Sequence, residues 1–479
     1  MSVKRTYLLC SFITLCIFFT GHGLLAQPYL GVTWHSGSNQ SSVPQRLDSL
    51  ERLGIQYIEL QQPVDPIFLE QLENYDFTIL IRSDLSYLIT TQLKENEKEI
   101  GLELAELIES ANQSDIISGL GLFSHSLTFS DSFFKAFRPI LNTLPSDLEL
   151  TYYFVSNDKW YSFSDLDGAF ASYLSESGNL NNDLIHFNKQ FRALSDEDSD
   201  HIVFIDAEWL ISATKSNPAF YKSLIDFKRS GNWLFPEPEQ PTKPYGTNFL
   251  VVLLIAMWAG LAIQIRYLPY VKPMILRFYF AHRFFIDDIL HYRERVTAGA
   301  VFMLIMHAIF GGIVAYICGK VLISETGMEA FFYHLPFLAI TGEGYSSIFS
   351  VFTLMILILE FIAILWLHIP AKNLDHISQT LNLYAGPFYL DFIILSVLIP
   401  LYLTETWPII SLSLAVLFIF IWFNSFNLTA FNASKSMGPD RFKYLMVTTG
   451  LHFLAFAGLL IFLFGFTPLG EILLLAVKI

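Results

Sequence analysis

Cysteine is almost absent from this sequence, which has three in 479 residues. All three, Cys10, Cys16 and Cys318, lie in strongly apolar stretches. No disulfide can therefore cross-link the polar N-terminal half, and no cysteine metal site is expected. We predict no other metal site and no cofactor.

Charge is also scarce. Charged residues make up 15% of the chain, against roughly 25% in soluble globular proteins, and the mean hydropathy is +0.45. This composition excludes an ordinary cytosolic enzyme. Residues 27–243 hold 15 basic and 32 acidic residues, a net charge of −17, whereas the whole chain has −15. So acidic a region repels polyanions, and we expect no nucleic-acid partner.

Residues 1–26 have the layout of a secretory signal peptide, in which two basic residues precede an apolar run at 7–20 and small and apolar residues follow. Leu24 stands where signal peptidase prefers a small side chain. An uncleaved anchor is therefore the alternative.

Prolines interrupt residues 236–246, which predicts a semi-stiff linker after an N-terminal domain at 27–235. Beyond it, apolar runs of about 20 residues, the length that crosses a bilayer, predict six transmembrane helices. They lie at 247–265, 297–318, 348–369, 383–403, 407–424 and 444–466. The last five form the region 297–479.

Basic residues favour alternate connections between these helices. The segments predicted on the inner side hold Arg266, Lys272, Arg277, Arg283, Arg293, Arg295, Lys372, Lys435, Arg441 and Lys443. The outer loops hold Lys320 alone. Because cytoplasmic loops gather lysine and arginine, we expect an integral membrane protein with its N-terminal domain outside the cytoplasm. A secreted domain of this size without cysteine favours the periplasm and inner membrane of a bacterium.

Strand-like runs alternate with helical patterns in the N-terminal domain, which is typical of parallel strands joined by crossover helices. The predicted strands are 29–34, 56–60, 77–82, 117–123, 149–155, 168–173, 201–206 and 232–235. The predicted helices are 43–53, 66–74, 94–111, 131–143, 183–193 and 217–230. Eight strands predict an α/β TIM-type (β/α)8 barrel, here followed by an all-α transmembrane domain.

Several segments, in the expected order, resemble the barrel of clan A glycoside hydrolases over about residues 28–235. The motifs that resemble the family are Gly31-Val32-Thr33-Trp34-His35, Leu53-Gly54-Ile55-Gln56-Tyr57-Ile58, Asp65-Pro66 to Tyr75-Asp76, Ser164-Asp165-Leu166-Asp167, and Val203 to Trp209. The resemblance implies a carbohydrate substrate and two catalytic carboxyl groups at the C-terminal ends of strands.

One of these two carboxyl groups is missing. Gly121-Leu122-Phe123 stands where the family has its acid after the fourth strand, and Glu59 matches the position of a family arginine. Glu208 is the candidate nucleophile, with Asp206 as the alternative, and Asp84 or Glu59 as a replacement acid. An acidic residue without catalytic function is the competing interpretation of Glu208.

Other residues at or just after predicted strands are candidates for binding a substrate. They are Trp34, His35, Glu59, Arg82, Asp84, His125, Asn157, Trp209 and Trp233. The tryptophans can stack on a sugar ring, although packing in the core explains each of them as well. Arg82 and Asp84 can also simply pair with each other.

Four ionisable residues fall inside the predicted transmembrane helices, namely His307, Glu360, Asp391 and His452. All four lie at a similar predicted depth, where they could form a proton relay or a cation site. Hydrogen bonds that only hold the helices together are the alternative.

Residues 266–296 mix aromatic and basic side chains and predict amphipathic helices on the inner leaflet, or a segment that binds a partner. The membrane region also resembles the Yip family, in having polar residues in its helices after a cytoplasmic segment.

These patterns favour a membrane-anchored, extracytoplasmic carbohydrate-recognition module whose glycosidase-like barrel has lost its catalysis. An active membrane-bound retaining glycoside hydrolase is one alternative. The other is an ion-coupled transporter or membrane-organising protein with an accessory barrel. The expected partners are a carbohydrate ligand and membrane lipid.

Overall fold

The computed structural model describes residues 29–35, 43–61, 66–83, 85–112, 114, 116–122, 131–142, 151–155, 169–173, 180–195, 201–231, 233–236, 248–293, 297–342, 344–404 and 407–478. The chain divides into two compact units, Met1–Pro244 and Tyr245–Ile479. The predicted signal peptide and nearly all of the predicted linker lie outside the described residues.

The first unit contains a closed barrel of parallel strands in the order β1 to β7, and β7 pairs with β1. The strands are β1 Tyr29–Trp34, β2 Tyr57–Gln61, β3 Thr78–Arg82, β4 Ile117–Gly121, β5 Thr151–Val155, β6 Ala169–Tyr173 and β7 His201–Asp206. Each overlaps a predicted strand, because a strand buried on both faces is a short continuous apolar run.

In the described part of the first unit, eight helices accompany these strands. They are α1 Val43–Leu53, α2 Pro66–Leu72, α3 Thr90–Glu95, α4 Glu97–Asn112, α5 Asp131–Leu141, α6 Leu180–Ser195, α7 Ala207–Ser216 and α8 Pro218–Ser230. The predicted helices all have counterparts, whereas α3 and α7 were not predicted as separate helices. Helix α7 follows β7 without a loop, because Asp206 ends the strand and caps the helix by accepting a hydrogen bond from the Trp209 backbone N–H.

The predicted eighth strand at 232–235 is wrong, and with it the eight-stranded barrel. Because β7 pairs directly with β1, no strand fits between them. Trp233, Leu234 and Phe235 alternate between buried and exposed, as in a strand. Their carbonyls, however, bind side chains: Ser223 Oγ donates to Leu234, and Arg192 donates to Phe235.

A glycine in β1 makes room for a phenylalanine ring of β7 in the barrel. Gly31 lies opposite Phe204 in the β1–β7 pair, and a Cβ on Gly31 would stand 2.6 Å from the Phe204 ring. Phe204 is fully buried. The absent side chain of Gly31 therefore leaves the space that the Phe204 ring occupies.

Among the described residues, six helices, all in the second unit, are long and apolar enough to cross a membrane. The spans are Phe249–Tyr267, Ala298–Leu322, Tyr345–His368, Ile377–Leu403, Pro408–Ser436 and Gly438–Phe466. Each predicted transmembrane run overlaps one of them. The six helices make the chain an integral membrane protein.

Several spans consist of more than one helical segment. The helices are α9 Phe249–Tyr267, α10 Val271–Phe280, α11 His282–Leu290, α12 Ala298–Leu322, α13 Glu325–His334, α14 Tyr345–His368, α15 Ile377–Ala385, α16 Tyr389–Leu403, α17 Pro408–Ala433, α18 Arg441–Leu445, α19 Leu451–Ile461 and α20 Leu469–Lys478. Two π-helical segments, Met446–Gly450 and Phe462–Phe466, interrupt the last span.

The fourth span is broken near its middle. A short 3₁₀ segment, Gly386–Phe388, separates α15 from α16. Pro387 has no N–H to donate, so it weakens the regular ladder of helical bonds there. Two side chains from other elements bind the backbone at the break: Ser425 Oγ donates to the carbonyl of Tyr384 at 2.7 Å, and the Tyr279 hydroxyl donates to that of Pro387 at 3.3 Å.

The basic connections meet at one end of this helical unit. The Tyr292 and His376 rings stack with centroids 4.0 Å apart, and the Asn373 amide donates to the carbonyl of Ser436. Lys320 lies at the other end of α12, over the Tyr345 ring. The basic segments between alternate spans therefore share one face, as the charge pattern predicts.

Candidate functional site

Polar side chains gather where three barrel strands end. Because parallel strands carry their C-terminal ends to one edge, the ends of β1, β2 and β7 bring His35, Gln61 and Asp206 together. His35 Nδ1 lies 3.1 Å from Gln61 Oε1, and Nε2 lies 3.4 Å from Asp206 Oδ2. We call these three residues the barrel-end cluster.

The barrel interior also holds an ion pair. Glu59, from β2, is fully buried, and Arg82, at the end of β3, lies 3.2 Å from its Oε2. A buried carboxylate without a partner costs several kcal/mol, so Arg82 compensates Glu59. The interpretation that Arg82 pairs with Asp84 is not tested, because Asp84 lies outside the described residues.

Glu208 pairs with Arg46, a residue outside the barrel-end cluster. It is in the first turn of α7, its side chain is 61% exposed, and its Oε1 accepts a hydrogen bond from Arg46 at 3.0 Å. Its role as a nucleophile therefore stays a prediction. Asp206, its alternative, belongs to the barrel-end cluster, but its side chain also caps α7.

The three candidate tryptophans pack against aromatic side chains. Trp34 stacks on Phe68, Trp209 on Phe187, and Trp233 contacts Phe187 edge to face. Indole N–H groups are also engaged, since Trp209 donates to Asp183 and Trp233 to Asn188. This packing favours the core interpretation of these residues over stacking on a sugar.

Two further candidates, His125 and Asn157, lie outside the described residues. Several of the residues that directly follow the strands also lie outside the described ranges. Gln61 was not among the predicted site residues. Its position one residue after the predicted end of the second strand was the available signal.

In the membrane unit, three of the four predicted polar residues meet. His307 Nδ1 and Asp391 Oδ2 are hydrogen-bonded at 2.6 Å, and His307 Nε2 lies 3.9 Å from Glu360 Oε1. The side chains come from α12, α14 and α16 and are at most 1% exposed. We call them the intramembrane triad.

Aromatic rings fix the imidazole of the intramembrane triad. The His307 ring lies between Phe388 and Phe418, nearly parallel to both, with centroid distances of 3.9 and 4.6 Å. Phe388 belongs to the break in the fourth span, and Asp391 follows it in the first turn of α16. The break and the helical turn after it thus provide the Phe388 ring that packs on His307 and the Asp391 carboxyl group that contacts it.

Several polar atoms of the intramembrane triad lack a hydrogen-bond partner among the described residues. Among the described residues, both carboxyl oxygens of Glu360, Oδ1 of Asp391 and Nε2 of His307 are buried without a hydrogen-bond partner. Buried polar atoms are normally paired. The intramembrane triad therefore has room to bind or release protons.

Tyr279 connects the break to the segment between the first two spans. Burial raises the pKa of its hydroxyl, and the nearby carboxylate of Asp391 adds to the rise. The hydroxyl therefore stays protonated and donates to the carbonyl of Pro387.

His452 does not join the intramembrane triad. Its ring stacks on Phe426 and Phe423, with centroid distances of 4.1 and 4.8 Å. Its Nδ1 is buried without a hydrogen-bond partner in the described part of the chain. His452 has a similar predicted depth in the membrane, but its side chain contacts other residues than the intramembrane triad does.

The described residues contain no group of three or more His, Cys, Asp or Glu side chains arranged to hold a metal ion. Comparison with known proteins finds no matching family model, no matching curated protein and no matching solved structure. The resemblances to clan A glycoside hydrolases and to the Yip family therefore stay predictions.

Proposed function

We propose that the membrane unit handles protons, as the relay of a proton-coupled transporter, and that the barrel is its accessory domain. The observation that carries this proposal is the convergence of His307, Glu360 and Asp391 in a fully buried site. An ionisable side chain at this depth costs about 2.5–3.5 kcal/mol on insertion scales. Interhelical hydrogen bonds return only about 0.6 kcal/mol each, so holding helices together does not account for three such residues.

The arrangement suits the transfer of a proton from Glu360 to Asp391 through the imidazole of His307. A proton from Glu360 forms an N–H bond at Nε2 while the Nδ1–H bond breaks and its proton passes to Asp391 Oδ2. An imidazole can accept a proton at one ring nitrogen while it releases another from the second, which fits His307 for the middle position. The gap of 3.9 Å between Nε2 and Glu360 exceeds a hydrogen bond by about 1 Å, so transfer needs a small side-chain movement or one water.

The test is proton flux into liposomes that contain the full-length protein and a trapped pH dye, with valinomycin and potassium setting the driving force. We expect the wild type to dissipate a pH gradient faster than protein-free liposomes. Glu360→Gln and Asp391→Asn should each slow this flux by roughly a hundredfold or more, the usual loss when a positioned proton donor or acceptor is removed.

His452→Phe is the matched control, because it removes a histidine of the same unit that is outside the intramembrane triad. It should keep the wild-type flux. Equal flux in the wild type, Glu360→Gln and Asp391→Asn would contradict the relay, as would a wild type no faster than empty liposomes.

A second function, carbohydrate recognition by the barrel, is supported by the barrel-end cluster. His35, Gln61 and Asp206 offer donors and acceptors at the strand ends, where barrels of this kind bind ligands. His35 is the most exposed of the polar groups there, with 55% of its side chain accessible.

A glycan array with the full-length protein in nanodiscs tests this second function. We expect His35→Ala to weaken binding by roughly tenfold, the equivalent of one good hydrogen bond. Glu208→Gln should bind like the wild type, because the Glu208 carboxylate faces Arg46. Hydrolysis of aryl glycosides that disappears in Glu208→Gln would instead establish an active glycoside hydrolase.

A further inference from the structure

A cleft lies at the basic end of the membrane unit, between the turn after the third span and the start of the sixth. Its volume is about 190 Å³. The residues that matter for its chemistry are Lys372, Asn373, Asp440, Lys443 and Tyr444. We call it the basic cleft.

Hydrogen bonds hold the two walls of the basic cleft together. The Tyr444 hydroxyl donates to the carbonyl of Leu367 at 3.0 Å, and the Asn373 amide donates to that of Ser436. The first bond connects the third span to the start of the sixth, and the second connects the turn after the third span to the end of the fifth. The cleft is therefore a built feature of the fold.

Positive charge in the basic cleft is only partly compensated. Lys372 lies 3.3 Å from Asp440, but this pair is 71% and 54% exposed, so its attraction is weak. Lys443 has no ion-pair partner among the described residues. Lys435, at the end of the fifth span, and Arg441, at the start of the sixth, add two more basic groups, and both lie over the Phe431 ring. In a chain with a net charge of −15, such a local excess of basic groups selects an anion.

Apolar side chains border the basic cleft and remain uncovered. Ile369, Phe442 and Met446 are 77%, 75% and 54% exposed, and each adjoins a residue that lines the cleft. They stand at the ends of two membrane spans. Positive groups beside exposed apolar groups, at the end of a span, match a molecule with an anionic head and hydrocarbon tails.

We propose that the basic cleft binds the phosphate of an anionic phospholipid, with Lys372 and Lys443 at the phosphate and the acyl chains against Phe442 and Met446. A free phosphate ion shares the head-group chemistry but makes no use of the apolar border. Asp440 competes with the lipid for Lys372. The site is independent of the intramembrane triad.

The test is native mass spectrometry of the delipidated full-length protein, titrated with phosphatidylglycerol or phosphatidylcholine. We expect the wild type to retain more phosphatidylglycerol than phosphatidylcholine. The double variant Lys372→Gln/Lys443→Gln should weaken that binding by roughly thirtyfold, since each lysine at a charged head group contributes about a factor of five. Asp440→Asn should strengthen binding, because it releases Lys372.

Lys320→Gln is the matched control, since it removes one lysine at the opposite end of the spans, and it should bind like the wild type. Equal retention of the two lipids, or a double variant that binds like the wild type, would overturn the proposal. So would inorganic phosphate that binds with the same dependence on Lys372 and Lys443 while phosphatidylglycerol is retained no better than phosphatidylcholine.

Discussion

His307→Phe is expected to lower the free energy of unfolding of the membrane unit by about 3–5 kcal/mol, the usual cost of removing one partner of a buried charge pair. The phenylalanine ring keeps the stacking between Phe388 and Phe418. It leaves Asp391 and Glu360 in the interior without a base between them. The loss can be measured by unfolding the full-length protein in mixed detergent micelles.

His452→Phe provides the comparison, because it makes the same substitution at a ring that also stacks on two phenylalanines. His452 has no carboxyl group against it in the ion pairs of the described residues, and its Nδ1 is buried and unpaired. We expect a change within about 1 kcal/mol, in either direction.

A loss near 0.6 kcal/mol in His307→Phe, the value of an ordinary interhelical hydrogen bond, would contradict the coupled arrangement. The double variant His307→Phe/Asp391→Leu gives a further check. It should recover part of the loss, since removing both partners leaves one fewer buried carboxyl group.

Arg82→Met carries the second large expected effect, a loss of about 3–5 kcal/mol in the stability of the barrel. Methionine fills a similar volume but leaves the fully buried Glu59 without its counter-charge. Glu59→Met/Arg82→Met should regain most of this loss. Thermal unfolding of the full-length protein, followed by tryptophan fluorescence, reports on the barrel through Trp34, Trp209 and Trp233.

Arg46→Met is the control for Arg82→Met, because it breaks the ion pair with Glu208, whose side chain is 61% exposed. Exposed ion pairs contribute at most about 1 kcal/mol. Similar losses in Arg46→Met and Arg82→Met would mean that burial of Glu59 does not determine the cost.

The sequence predicts seven of the barrel strands because their apolar runs must be buried on both faces. It fails at 232–235, where a strand and an irregular segment have the same side-chain pattern. Trp233 and Phe235 are buried and Leu234 is exposed. What distinguishes the two cases is the partner of each carbonyl, here Ser223 and Arg192, and no local pattern contains that information.

The same limit applies to the candidate sites. Counting residues along a transmembrane helix gives depth, and depth placed His307, Glu360 and Asp391 at one level. It does not give the direction in which a side chain points around the helix axis, which separates His452 from them. Residue type is equally ambiguous for Trp34 and Trp209, since an indole ring suits a hydrophobic core as well as a sugar.

The interruption in the fourth span has a mechanical consequence. Two hydroxyl groups, those of Ser425 and Tyr279, bind the backbone on either side of Gly386, and each such bond is worth about 0.5–1.5 kcal/mol. Together these two bonds contribute about 1–3 kcal/mol to holding the two halves of the fourth span in line. The position of Asp391 beside His307 therefore depends on side chains from two other helical segments as well as on the backbone of its own span.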